Sequence, residues 1–105
     1  DKNNVLGTFH WQDSASDSYA GYGLEIEATT STSEFHLYTL EWTRDVIYVL
    51  YDNEPYVTFA NNSSLPFNAD FFLILNIAMG GNLGGDIDPA FTQDTMEIDY
   101  VRVYQ

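Results

Sequence analysis

Apolar and polar residues alternate along most of this chain with a period of two, the spacing of a strand half-buried on a sheet. Val5 to Trp11 is the first such segment, with His10 near its end. Residues 12–23, rich in Ser, Asp, Gly and Tyr, read as a long surface loop, in which Tyr19 and Tyr22 serve either as anchors or as a stacking surface for a ligand. Gly23 to Glu27 reads as a brief strand and Thr29 to Ser33 as a polar connector. Phe35 to Trp42 alternates with His36, Tyr38, Leu40 and Trp42 on one face, and Thr43-Arg44-Asp45 makes a tight connection. Val46 to Tyr51 is β-branched and aromatic, as a strand should be. Asp52-Asn53 then supplies turn chemistry for a return strand from Pro55 to Phe59, so residues 42–59 predict a three-stranded antiparallel meander. No stretch carries helical periodicity. Strands separated by turn signals predict an all-β sandwich.

The strongest apolar run is Phe71 to Met79, which leads into Gly80-Gly81-Asn82. Pleat parity puts Phe72, Ile74, Asn76 and Ala78 on one face, and Phe71, Leu73, Leu75 and Ile77 on the other. A strand apolar on both faces belongs in the middle of a layered sheet. Asn76 is the one polar residue inside it. Its carboxamide either satisfies itself within the fold or points at a polar ligand. Gly80 to Thr92 reads as a long loop holding Asp86 and Asp88, and Met96 to Tyr104 as a final strand.

Composition narrows the partners. Three Lys+Arg against 16 Asp+Glu give a formal net charge of −13, which excludes nucleic acid and anionic membrane surfaces as partners. Neutral sugars and cations remain compatible with that charge. Cysteine is absent, so there is no disulfide framework and no thiol metal site. At 105 residues the chain holds one domain at most, and its start at Asp1 marks a processed or excised piece. Asn61 and Asn62 both begin N-x-S sequons.

The candidate chemistry is sparse. Glu97 and Asp99 share a strand face roughly 6–7 Å apart, near the ~5–5.5 Å of a retaining glycosidase pair. The face continues into Val101 and Val103 with no third acid, so a solvated pair or a cation site is the simpler reading. Asp86 and Asp88 give only a weak calcium signal. His10 and His36 have no ligand-spaced neighbours for zinc.

Several segments nevertheless resemble glycoside hydrolase family 16, the laminarinase and β-glucanase group. Phe35-His36-Leu37-Tyr38-Thr39-Leu40-Glu41-Trp42-Thr43 is similar to the family's "FHxYxxEWT" segment. Val46 to Pro55 resembles its hairpin, with Asn53 in place of Gly. Phe67 to Gly85 resembles "PF…FFLILNLAVGGNWPG", Ile98 to Gln105 resembles "VDYVRVYQ", and Gly7 to Trp11 resembles "GTLHW". The likeness implies a concanavalin-like jelly-roll β-sandwich, here its C-terminal portion, with residues 1–105 forming a single partial domain whose concave face holds a glucan.

The family's E-x-D-x-x-E strand, which carries the nucleophile and acid/base, would precede Asp1. The resemblance therefore implies no catalytic residue in this chain, with the acids on a missing segment or a second chain that forms the N-terminal half. It implies that Asn76 sits beside the reacting sugar, that His10 and Trp11 line the cleft, and that Gly81 and Asn82 shape its rim. Leu83 replaces the rim Trp. Asp99 is the implied ligand to a structural Ca2+. The expected whole is a secreted, extracellular endo-β-1,3- or β-1,3/1,4-glucanase acting with retention on β-glucan oligosaccharide or polysaccharide. A β-glucan-binding module and an inactive structural fragment are the alternatives.

Overall fold

The computed structural model describes residues 3–105. The chain is nearly all-β and divides into two compact units, Asp1–Phe71 and Phe72–Gln105. In the first unit, β1 (Asn4–Asp13) and β2 (Ser18–Glu27) form an antiparallel hairpin. β3 (Tyr38–Trp42), β4 (Val46–Tyr51) and β5 (Glu54–Ala60) form the antiparallel meander that the pattern predicts, in the order β3-β4-β5. Asp52 and Asn53 both take positive φ, 49° and 69°, which is the turn that lets two twisted strands fold back on each other. Pro55 sits on the edge strand, where a missing N–H costs no ladder bond, and the register shifts between Val49 and Leu50.

The long loop expected over residues 12–23 shrinks to Ser14–Asp17. Asp13 closes that turn, its carboxylate accepting the Ala15 N–H at 3.1 Å and the Ser16 hydroxyl at 2.7 Å. Residues 18–23 belong to β2, because ten ladder pairs with β1 outweigh the poor strand propensity of Ser, Ala and Gly. Tyr19 and Tyr22 are therefore strand residues and not loop anchors.

The two sheets meet through aromatic rings. Phe9 of β1 stacks on Phe59 of β5 at 4.6 Å, and Phe67, from a short 3-10 helix at Pro66–Asn68, meets both edge-on at 5.7 and 5.6 Å. Phe9, Ile47, Val57 and Phe67 form the buried core, with Trp11, Val49, Tyr56 and Phe59 packed around it. Gly7 admits the neighbouring sheet, since a Cβ there would stand 2.9 Å from both Tyr56 Oη and Val57 Cγ2. Asn61 is the buried polar residue among the described residues of this unit. Its amide donates to Thr43 O at 3.0 Å and Asn68 Oδ1 at 3.1 Å, and its Oδ1 accepts the Asn62 N–H.

The second unit departs from expectation. Residues 71–79 and 96–104 are without ladder pairing, so neither the central nor the terminal strand is formed among the described residues. The apolar alternation specifies faces, but ladder hydrogen bonds come from neighbouring strands, and none pairs with these segments. Their side chains stay exposed, Phe72 at 82 % and Ile74 at 73 %. Between them Gly81–Gly84 makes one helical turn (α1), closed by Gly85 N–H to Gly81 O at 2.9 Å. Gly80 and Gly81 enter it with φ of 72°, which a side chain would strain.

Candidate functional site

Strand parity divides β1 between two tasks. Gly7, Phe9 and Trp11 face the core, whereas Leu6, Thr8, His10 and Gln12 stand on the open side. The partners in β2 repeat the division, placing Tyr19, Gly21, Gly23 and Glu25 on that open face. All of these except Gln12 line a shallow recess. Gly21 lies opposite His10 and Gly23 opposite Thr8, so the floor beside both side chains is bare backbone. His10 Nδ1 is hydrogen-bonded to the Tyr19 hydroxyl, and the two rings lie 5.6 Å apart. The Gln12 amide donates to Asp17 Oδ1 at 2.5 Å, which holds the turn against the same face. A hydroxyl, an imidazole, a carboxamide and exposed backbone suit the hydroxyls of a neutral ligand. They match the charge argument, which leaves sugars among the possible partners.

His10 and Trp11 thus stand on opposite faces of β1. The Trp11 indole packs edge-on to Phe59 and Phe67 at 5.5 and 5.8 Å, and Trp11 also borders a second recess with His10, Gln12 and Tyr19. Asn76, Gly81, Asn82 and Asp99 all fall in the second unit, and all are exposed. Asn76 lies in extended backbone, while Gly81 and Asn82 lie in α1. No three His, Asp or Glu side chains come together at metal-binding spacing among the described residues. One carboxylate from Asp99 supplies too few of the six to eight oxygens calcium takes, so the residues present do not fit a calcium site by themselves. Asp88 is engaged locally, its Oδ1 accepting the Ala90 N–H at 2.8 Å.

Sequence reasoning missed a second polar assembly. His36 Nδ1 meets Asp52 Oδ2 at 2.7 Å, and its Nε2 lies 3.0 Å from Thr30 Oγ1. Asp52 Oδ1 accepts the Leu37 N–H at 2.9 Å, and the His36 ring stacks on Tyr51 at 4.8 Å. The hydrogen bond to Asp52 is the main cause that raises the His36 pKa, and the Leu37 N–H is the main cause that lowers that of Asp52. The imidazole is nearly covered, with 8 % of the side chain exposed. This assembly clips the 28–37 segment to the β4–β5 turn. The signal available in the sequence was the Asp of the Asp52-Asn53 turn, whose carboxylate needs a donor.

Comparison with known proteins follows the same lines. The family model described as glycosyl hydrolases family 16 matches residues 1–102. A beta-glucanase of Rhodothermus marinus is 36 % identical over 94 residues, which cover 79 % of this chain and 33 % of that protein. Glucan endo-1,3-beta-glucosidase A1 of Niallia circulans is 34 % identical, over 97 % of this chain and 17 % of that one. The chain therefore spans a third or less of these relatives' length. A crystal structure of a LamA variant from Zobellia galactanivorans, in complex with laminaritriose and laminaritetraose, superposes with a TM-score of 0.81 at 41 % identity. That match covers 88 % of this chain and 37 % of the other.

Proposed function

Since the chain belongs to the glycosyl hydrolases of family 16, we propose that it is part of an endo-β-glucanase that hydrolyses β-1,3- or β-1,3/1,4-glucan with retention. The observation that carries the reading is the 41 % identity, over 88 % of the chain, to a protein crystallised with laminari-oligosaccharides. On this reading the open face of β1 and β2 is one wall of the cleft, with His10 and Gln12 meeting sugar hydroxyls and Trp11 supporting the strand from behind. Asn76, Gly81 and Asn82 contribute further sugar contacts. The nucleophile and acid/base lie on a companion segment or chain. A retaining enzyme needs two carboxyl groups about 5–5.5 Å apart. The acids on the open face here, Glu25 and Glu27, are roughly 6–7 Å from each other along β2, wider than that pair, and stand roughly 13 and 20 Å along the strand from the partner of His10. Asp99 would give one ligand to a calcium site completed by the companion. Secretion accords with a polysaccharide too large to enter a cell.

The test is hydrolysis by the whole protein that contains this chain. Reducing ends should appear from laminarin, and the first-formed product should keep the β-anomer by NMR. Inverted product, or no release from laminarin and mixed-linkage glucan alike, would overturn the reading. The position of Glu25 and Glu27 favours a second reading for the chain by itself, that of a glucan-binding wall without catalysis. Calorimetric binding of laminari-oligosaccharides by the 105-residue chain, with no reducing ends released, would identify that case.

A further inference from the structure

We propose that Tyr19 is a positioning residue that fixes the tautomer of His10. This rests on the reading of the open β1–β2 face as a glucan-binding wall. Tyr19 is 72 % exposed, yet its hydroxyl is engaged by His10 Nδ1 across the hairpin. A phenol hydroxyl can donate or accept and a neutral imidazole has one acceptor nitrogen; in the arrangement proposed the Tyr19 hydroxyl donates to Nδ1, which leaves the proton on Nε2. In that tautomer Nε2–H points away from the bond to Tyr19 and can donate to a sugar hydroxyl.

The backbone is built to accommodate the pair. Gly21 faces His10 in the ladder, and a Cβ there would stand 3.1 Å from Tyr19 Oη and 3.4 Å from His10 Nδ1. The glycine leaves the room in which the two side chains meet. Register does the rest, because Gln12 pairs with Tyr19 and so brings Tyr19 diagonally beside His10 on one face. An imidazole held in one tautomer presents a donor in one direction, whereas a free ring divides its population between two. The same arrangement, in which the bond at one ring nitrogen sets the role of the other, governs oriented histidines generally.

The experiment uses the whole protein with Tyr19→Phe, which keeps the ring and removes only the hydroxyl. Two-bond nitrogen–proton NMR correlations of labelled histidine read the tautomer, and calorimetry with laminaritetraose reads affinity. The expected result is a dominant Nε2–H form in the parent, a mixed population in Tyr19→Phe, and affinity about two- to ten-fold weaker, as the loss of one hydrogen bond implies. Gly21→Ala should act in the same direction by crowding the pair. An unchanged tautomer in Tyr19→Phe overturns the proposal whatever the affinity does. A shifted tautomer with no laminaritetraose binding by the parent overturns the glucan reading instead, and takes the role of Nε2–H in sugar recognition with it.

Discussion

Phe9 and His10 are consecutive residues, and replacing each with alanine should have very different consequences. Phe9 is 8 % exposed, stacked on Phe59 at 4.6 Å and met edge-on by Phe67. Burying a phenyl side chain is worth about 1.5–3 kcal/mol. Its aromatic pairs add about 0.5–1.5 kcal/mol, and the cavity left between two sheets adds more. Phe9→Ala should therefore cost about 3–5 kcal/mol. That is a large share of the roughly 5–15 kcal/mol by which a domain is stable. His10 stands on the open face, so His10→Ala should change stability by no more than about 0.5 kcal/mol. Guanidinium unfolding followed by far-UV circular dichroism avoids relying on Trp11, whose fluorescence would respond to the missing ring beside it. Equal costs for the two variants, or a Phe9→Ala cost under about 1 kcal/mol, would show that β1 does not divide its faces as described.

The His36–Asp52 clip should depend on pH in a defined sense. His36 is raised above the ordinary imidazole value, so its stabilisation is complete below about pH 6.5 and is lost as pH rises through the folded value. Asp52 is lowered, so its contribution is present above about pH 3.9 and is lost as pH falls through its folded value. Asp52→Asn should thus lower Tm more at about pH 5 than at about pH 8.5, and equal losses would refute the coupling. Asn61→Ala, which strands the Thr43 carbonyl, should cost about 1–3 kcal/mol, measured by the same denaturant titration. With both amide hydrogens engaged, Asn61 should also stay unglycosylated in a eukaryotic host while exposed Asn62 is open to modification, which peptide mass mapping would check. The exposed apolar side chains from Phe72 to Met79 should make the isolated chain bind a hydrophobic dye and self-associate. A monomeric, dye-silent 105-mer in light scattering would refute that.

The meander was legible because its information is local. Val46 to Tyr51 carries strand propensity, and Asp52-Asn53 is a turn in its own right. The end of β2 was legible, as the brief strand from Gly23 to Glu27, but its first half was not, because those Ser, Ala and Gly residues become a strand only through pairing with β1. The Asp13–Asp17 turn, with its side-chain bonds to Ala15 and Ser16, was the clue that two long strands fold back there. The apolar run at residues 71–79 shows the opposite failure. Its alternation is strong, but a pattern names a face and does not supply the neighbour that completes the ladder. His10 could be nominated by resemblance, but its bond to Tyr19 depends on hairpin register. Trp11 was nominated with it; adjacent strand residues point to opposite faces, yet Trp11 and His10 both border the second recess.

The alternation along β1 also bears on how this segment can change over time. Substitutions at even positions can retune recognition without disturbing the aromatic packing, and those at odd positions can alter packing without touching the recess. A single-residue insertion or deletion between Val5 and Trp11 spares neither. It would turn Phe9 outward and His10 inward together, so the segment can drift by replacement but not by length.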